Sequence, residues 1–349
     1  MFLLPMEWGG GRARSDRTEG LFRRTPGLTA GRRAADMRLP EEDPMTRTLF
    51  GAALAVALLA AVPATAQSPV GDPAALETAA AAWVQPSNAA RFEVLTAQLT
   101  AAGLPFEVQT FEGGAARTGP LQGRNVVVTL GEGPRDIVLT AHYDAVPLNG
   151  GAFSQGIVDN AGGVLAMITA AKALQEGLAG QPTSHRFVFV LTDQEELGLI
   201  GARKWLEAAD RTRIAAVINA DVAAYGETIM YGQNNGPQST GVLRALRLQC
   251  AAEAVTCIGF PVYPPSDDRV FSAAGLPVLS LGTQDAVGAH QMWLAFNGGE
   301  TPGLREGFVP PVFQRIHSAG DDLDLFDGEA VHRFGGFLAD LALRIARGE

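Results

Sequence analysis

The chain has 349 residues, of which 47% are hydrophobic and 18% are charged, and this composition is ordinary for a globular protein. Its length favours one large domain or two small ones. The net charge is −10, and most of the acidic residues follow residue 66, which argues against nucleic acid or an anionic membrane as a partner. Two cysteines are too few for a disulfide scaffold.

The first 66 residues do not have the composition of a folded domain. Residues 1–44 are rich in Arg, Gly and acidic residues with little apolar periodicity, and we interpret them as a disordered, non-native upstream extension. Arg47, the apolar core Leu49–Val62 and the small-residue triplet Ala64–Ala66 then predict a secretory signal peptide over residues 45–66. A short membrane anchor is the alternative, but the apolar core is short for a bilayer span.

A cleaved signal would leave a single domain over residues 67–349. We therefore expect an exported protein, periplasmic or extracellular, without stable membrane insertion after cleavage. Oxidising compartments permit disulfides, so Cys250 and Cys257 are predicted to be joined and to steady the loop that follows them. Two reduced thiols are the alternative.

The predicted elements begin with helices. Apolar spacing predicts two helices within Asp72–Leu104, divided near Pro86. Strands are predicted at Phe106–Phe111 and Asn125–Leu130, separated by a glycine-rich turn at Gly113–Gly114.

Strands and helices alternate through the rest of the chain. The predicted strands cover residues 136–141, 186–192, 214–220, 228–231 and 277–281. The predicted helices cover residues 160–178, 197–209, 239–252, 266–274 and 328–346. This alternation predicts an α/β fold, a three-layer α-β-α sandwich around a doubly wound, mostly parallel mixed sheet. Residues 282–316 are predicted to form a long irregular loop, which is a functional or disordered segment in most domains.

Residues suited to metal binding or acid–base chemistry follow the ends of several predicted strands. In open α/β sheets this edge is where sites are built, and histidine with carboxylates can hold zinc. Each member alone is weak, because a Glu pair at a helix start usually serves capping. Together their number fits two metal ions with one bridging ligand. The set comprises His142, Asp144, Asp159, Glu195, Glu196, Asp221 and His317.

Six short motifs contain these residues: Ala141–Asp144, Val158–Gly163, Gln194–Gly198, Ile218–Asp221, Ser266–Asp268 and His317–Asp322. In this order they resemble the co-catalytic di-zinc peptidases of the bacterial leucyl aminopeptidase and glutamate carboxypeptidase type. The resemblance extends roughly from Phe92 to the C-terminus. It implies a zinc-dependent exopeptidase, an aminopeptidase in the first instance, acting on peptides. Together with the predicted signal peptide, this predicts a secreted or periplasmic enzyme.

The resemblance also implies a role for each residue. Two Zn²⁺ per chain would be held by five metal ligands, His142 and Asp221 on one ion, Glu196 and His317 on the other, and Asp159 bridging. Glu195 would be the general base for the attacking water and would pass the proton to the leaving amine. Asp144 would accept the free ring N–H of His142 and fix its tautomer. Tyr263 would donate a hydrogen bond to the tetrahedral oxyanion, unless it is only a packed loop aromatic.

Two departures from the family pattern concern the substrate rather than the metal. The family usually has Ser-Asp-His where this chain has Ser266-Asp267-Asp268. Many members have Tyr before the last ligand, where this chain has Ile316. Neither change removes a predicted ligand, so they bear on substrate preference.

Two other functions share this ligand pattern. A glutaminyl cyclase, a single-zinc acyltransferase, has much of the same ligand set and would bind one metal. A receptor-like ectodomain that kept the fold would have lost ligands, and none is missing. Deacylases and carboxypeptidases with a dimerisation lid are disfavoured, because the stretch between Asp221 and Ser266 is too short to contain the lid.

Overall fold

The computed structural model describes residues 72–148, 153–300 and 303–349. All of them belong to one compact unit, Val62–Glu349. The predicted upstream extension, residues 1–44, and the predicted signal peptide, residues 45–66, lie outside the described residues.

Two helices open the described chain, as predicted. Helix α1 (Pro73–Ala81) is capped by Asp72, whose carboxylate accepts a hydrogen bond of 2.8 Å from a main-chain N–H of the first turn. Helix α2 (Asn88–Ala101) is capped in the same way by the hydroxyl of Ser87. Both caps satisfy amides that have no partner within the helix, and they set where each helix begins.

Strands and helices then alternate around one eight-stranded sheet, which confirms the predicted fold class. The strands are β1 (Phe106–Ala115), β2 (Gly119–Leu130), β3 (Arg135–His142), β4 (His185–Thr192), β5 (Ile214–Ala220), β6 (Thr228–Gly232), β7 (Cys257–Phe260) and β8 (Val278–Gln284). Their order is β1-β2-β4-β3-β5-β8-β6-β7. The central strands β4, β3, β5 and β8 are mutually parallel. Their carboxyl ends therefore meet at one edge.

Helices cover both faces of this sheet. They are α3 (Gly162–Gly177), α4 (Ile200–Ala208), α5 (Thr240–Glu253), α6 (Asp268–Ala273), α7 (Ala286–Asn297), α8 (Pro311–Arg315) and α9 (Gly328–Arg347). Side chains of β3 alternate between the two faces: Ile137 and Leu139 join the larger core with α1, α2, α3, α5 and α9, whereas Val138 joins a smaller core with α4 and α6. A strand buried on both faces is apolar throughout, which is the pattern that made β3 predictable.

Helix α3 lies at the centre of the larger core. With the turn before it, Ile157–Gly177 is long and apolar enough for a membrane span by length and composition, but 89% of its most apolar window is buried inside the fold. The apolar character of this segment is therefore explained by core packing.

The predicted turn at Gly113–Gly114 is wrong. Strands β1 and β2 continue through it, with Gly113 paired to Leu121, and the chain reverses between Ala115 and Gly119. Gly113 instead allows the side chain of Gln194 to pack closely against the strand, because a Cβ on Gly113 would lie 2.2 Å from the side-chain oxygen of Gln194. That oxygen accepts a hydrogen bond of 2.7 Å from the N–H of Gly114.

The predicted long loop at residues 282–316 is also wrong in large part. Strand β8 continues to Gln284, and α7 follows directly. Asp285 caps α7 by accepting hydrogen bonds from two main-chain amides of its first turn. Gly288 is needed inside this helix, since a Cβ there would lie 2.7 Å from the side-chain oxygen of Gln284. The glycine breaks the apolar pattern without breaking the helix.

The structure joins Cys250 and Cys257 in a disulfide, as predicted. It links the end of α5 to the first residue of β7. We expect the double Cys→Ser variant to lose about 2–3 kcal/mol of unfolding free energy, because the bridge restricts the unfolded chain. Denaturant titration of both proteins measures this loss. Labelling of two thiols per chain in denatured, unreduced wild type would contradict the pairing.

Candidate metal centre

The five predicted ligands meet at the carboxyl edge of the parallel strands. They are His142 at the end of β3, Asp159 in the turn before α3, Glu196 after β4, Asp221 after β5 and His317 after α8. Strands set the places of three of them and bring together residues up to 175 positions apart in the numbering. The structure therefore assembles every ligand that the resemblance implied.

Two groups of ligand atoms can be distinguished. In the first, Nε2 of His142 lies 3.0 Å from Oδ1 of Asp159 and 3.3 Å from Oδ1 of Asp221. In the second, Nε2 of His317 lies 3.1 Å from Oδ2 of Asp159 and 3.2 Å from Oε2 of Glu196. Ligand atoms within each group lie within 4.8 Å of one another. Asp159 thus offers one oxygen to each group, which is the arrangement of a bridging carboxylate.

The charge of these groups fits a cation. Burial raises the pKa of Glu196 to about 7, and the charge of Asp159 adds to this effect. Hydrogen bonds to Asp159 and Glu196 raise the pKa of His317 to about 11. The buried carboxylates thus favour a protonated His317, which means that the group attracts positive charge. A divalent ion held by the same residues would supply that positive charge in place of the proton. Imidazole nitrogen and carboxylate oxygen are ligands that zinc takes, so the residues fit one ion per group.

Asp144 contacts both the first group and the Glu pair. Its Oδ1 lies 3.4 Å from Nδ1 of His142, and its main-chain oxygen lies 3.2 Å from the same nitrogen. Its carboxylate also accepts hydrogen bonds from the N–H groups of Glu195 (3.0 Å) and Glu196 (3.2 Å). The predicted contact with the ring is therefore present, and the carboxylate has a further use in holding the corner after β4.

Glu195 belongs to neither group, but it lies close enough to His142, Asp221 and Glu196 for their charges to act on its carboxyl group. Burial raises its pKa well above the ordinary value for a carboxyl group, with further contributions from Asp221 and Asp267. Its neighbour Glu196 points into the second group, so consecutive side chains diverge at this corner. A carboxylate next to the metal groups and outside both of them is placed for a base rather than a ligand.

Tyr263 lines a cavity next to Asp221, with a volume of about 40 Å³. Burial raises the pKa of its hydroxyl, which therefore stays protonated and able to donate a hydrogen bond. The cavity walls between Asp221 and the segments α7 and α8 are largely apolar and include Met230, Met292, Val312 and Phe313. The site thus has a small apolar recess directly beside a predicted ligand.

Asp268 stands where the family usually has a histidine, and its carboxylate makes hydrogen bonds to nearby protein groups. Asp268 accepts hydrogen bonds from the N–H of Ser266 (2.7 Å) and the hydroxyl of Ser280 (2.6 Å). Its neighbour Asp267 accepts a hydrogen bond of 2.5 Å from the hydroxyl of Thr192. Both carboxylates thereby hold the loop that carries Tyr263 against the sheet edge.

Sequence reasoning missed two residues that hold the loops of the site. Asp321 is buried, and its carboxylate accepts hydrogen bonds from the N–H groups of Val158 (2.6 Å) and Asp159 (3.2 Å). Its place in the motif His317–Asp322 was the signal that could have identified it. Arg91 is fully buried in α2, and nothing in the sequence distinguishes it from a solvated helical arginine.

Solved structures of bacterial aminopeptidases and of a bacterial glutaminyl cyclase share this fold. The zinc aminopeptidase BSAP from Bacillus subtilis is 19% identical over 66% of this chain and 51% of its own, with a TM-score of 0.50. The LapA aminopeptidase from Legionella pneumophila is 15% identical over 79% of this chain and 70% of its own, with a TM-score of 0.56. The glutaminyl cyclase from Porphyromonas gingivalis is 18% identical over 78% of this chain and 98% of its own, with a TM-score of 0.61.

These identities show a common fold alone. The chain spans about half the length of the Bacillus subtilis structure. A comparison with curated protein sequences gave no match.

A sequence profile of a known family covers more than half of the chain. The profile of Peptidase family M28 matches residues 125–342. The matched segment contains all five candidate ligands as well as Glu195 and Tyr263. The resemblance to zinc peptidases is thereby confirmed, and the chain belongs to Peptidase family M28.

Proposed function

We propose that the protein is an exopeptidase, specifically an aminopeptidase that hydrolyses N-terminal peptide bonds with two zinc ions. One observation carries this proposal: the two oxygens of Asp159 belong to two different histidine–carboxylate groups, with Glu195 beside both and in neither. Two adjacent ions and a separate base suit hydrolysis of an amide. The zinc chemistry of the family and the fold of the aminopeptidase structures support the same function.

The residues would divide the work as the resemblance implies. His142 and Asp221 would hold one zinc, Glu196 and His317 the other, and Asp159 both. Bound zinc would supply Lewis acidity toward the scissile carbonyl and acidity to a water molecule. The carboxylate of Glu195 would take the proton of the attacking water and later give it to the leaving nitrogen.

Two further side chains would assist these steps. The hydroxyl of Tyr263 would donate a hydrogen bond to the carbonyl oxygen as negative charge develops there. Asp144 would keep the ring of His142 in one orientation and, through its contacts with the two glutamate amides, keep Glu195 aimed at the site.

We expect elemental analysis of the purified protein to find two zinc ions per chain. Each histidine–carboxylate group supplies three ligand residues once Asp159 is counted in both, which suits one ion per group. Removal of zinc by a chelator is expected to abolish hydrolysis, and added zinc should restore it. A stoichiometry near one would favour a single-zinc enzyme instead.

A glutaminyl cyclase is the second candidate, favoured by one observation. The Porphyromonas gingivalis cyclase structure is matched over 98% of its length, so this chain and that cyclase domain have similar extents. A cyclase would be a single-zinc acyltransferase that closes an N-terminal glutamine rather than cleaving a peptide bond. The two candidates therefore differ in both metal content and product.

A substrate panel separates these functions. It consists of aminoacyl anilides, the same compounds with a blocked amine, and peptides that begin with Gln, each with and without a chelator. Chelator-sensitive release of aniline from unblocked compounds supports the aminopeptidase. Loss of ammonia from the Gln peptides without hydrolysis supports the cyclase. No metal-dependent reaction in any arm supports a non-catalytic ectodomain.

We further propose that the protein acts on peptides outside the cytoplasm, after export directed by residues 45–66. The arrangement of a charged start, apolar core and Ala-Thr-Ala triplet in the sequence supports this. N-terminal sequencing of exported protein tests it, because a chain that retains residues 1–44 would contradict cleavage near Gln67.

A further inference from the structure

Arg91 makes an unusual set of contacts for a buried charge. Its Nε donates to the carbonyl of Tyr143 (2.6 Å), Nη1 to those of Trp83 (3.1 Å) and Gln155 (2.6 Å), and Nη2 to that of Gly156 (3.0 Å). The guanidinium also lies 4.9 Å from the ring centroid of Trp83. Each of these four acceptors is a main-chain carbonyl. Burial lowers the pKa of the side chain to about 10, so it remains a cation at neutral pH.

Two of the segments that Arg91 holds lead directly to predicted ligands. Tyr143 follows His142 at the end of β3, and Gly156 lies in the turn that carries Asp159. One planar group thus binds both segments at once. Because the N–H directions of a guanidinium are fixed, the distance between the carbonyls it contacts is fixed as well.

Helix α2, which carries Arg91, also contacts the segment after His142 through a second residue. The side-chain amide of Asn88 donates to the carbonyl of Ala145 (3.2 Å) and accepts from its N–H (2.8 Å). Helix α2 lies before the residues that match the family profile, 125–342. Arg91 and Asn88 thereby join this helix by hydrogen bonds to the segments that carry His142 and Asp159.

We propose that Arg91 is a positioning residue for metal binding, which sets the separation of His142 and Asp159 and thereby the metal affinity of the group they form with Asp221. The proposal rests on the proposed function, because it requires that group to bind a metal. A role in stability alone would make the metal affinity of folded variants independent of Arg91.

The test is a Co²⁺ titration of chelator-treated protein, followed by visible absorption and calorimetry. A His317→Ala parent removes a ligand of the second group, so that the group of His142 is measured by itself. Arg91→Lys in this parent keeps the charge but replaces the planar fork with one ammonium. We expect it to bind Co²⁺ about 10–100-fold more weakly and to change the absorption spectrum, as loss of an outer partner of a metal site does.

Two matched variants separate positioning from stability. Gln98 lies in the same helix and is 5% exposed, and its side chain bonds Trp83 and the carbonyl of Ala79 instead of the site segments. Gln98→Met is expected to lower stability and leave Co²⁺ affinity within twofold of the parent. Asn88→Ala removes the second contact of α2 at a half-buried position and is expected to weaken Co²⁺ binding severalfold.

The outcomes distinguish this proposal from the function on which it rests. Binding of Co²⁺ within twofold of the parent by both Arg91→Lys and Asn88→Ala would overturn the positioning role. Equal weakening by Gln98→Met would overturn it too, since stability would then account for the effect. A parent and a wild type that both bind no Co²⁺ would overturn the metal site itself. If Arg91→Lys does not fold, Asn88→Ala decides the question.

Discussion

Glu195→Gln is expected to lower turnover about 10²–10⁴-fold while zinc content stays close to that of wild type. Gln keeps the shape of the side chain and removes its basicity, and Glu195 belongs to neither ligand group. The matched control is Glu196→Gln at the next position. Oε2 of Glu196 lies 3.2 Å from Nε2 of His317 within the second group, so this variant is expected to lose zinc. Steady-state kinetics and elemental analysis of both variants provide the measurement.

The reverse pattern would exchange the two roles. Zinc loss in Glu195→Gln with full zinc in Glu196→Gln would mean that Glu195 is the ligand. Wild-type turnover in Glu195→Gln would instead contradict general-base hydrolysis altogether.

The second large effect is expected at Asp159. Its two oxygens lie 3.0 Å from the ring nitrogen of His142 and 3.1 Å from that of His317, so Asp159→Ala removes a ligand from both groups at once. We expect zinc content near zero and no measurable hydrolysis. Asp221→Ala, the control, removes a ligand from the first group only and should retain about one zinc per chain.

Folding of Asp159→Ala is expected to be preserved. The hydrogen bond from the N–H at position 159 to Asp321 does not involve the side chain that is replaced. Circular dichroism and thermal unfolding check this point. Retention of one zinc by Asp159→Ala would show that the carboxylate does not bridge.

Much of the fold and of the site could be predicted because local patterns determine them. The buried strand β3 has an unbroken apolar run, since both of its faces are covered. The ligands follow strand ends, and parallel strands bring those ends together. The motif around His142 and the Glu pair therefore indicated which residues would meet, although they are distant in the chain.

The remaining features depend on contacts that no local pattern records. Gly113 and Gly114 have the composition of a turn, but the missing Cβ of Gly113 admits the side chain of Gln194, which also accepts a hydrogen bond from the N–H of Gly114. Gly288 interrupts an apolar helix for a similar reason. Arg91 acquires its acceptors only when Tyr143 and Gly156 are folded against α2. The partners of Gly113 and Arg91 come from distant parts of the chain, whereas the partner of Gly288 is Gln284, one helical turn earlier.

The two histidines of the candidate centre differ greatly in exposure. The side chain of His142 is 1% exposed, whereas that of His317 is 54% exposed. Ions at the two positions should therefore exchange with solvent at very different rates, the outer one quickly and the inner one slowly. A brief chelator treatment followed by a different divalent ion would then yield protein with zinc at the inner position, which contains His142, and the new ion at the outer position. The outer position, which contains His317, would therefore be the one to label with a spectroscopic ion.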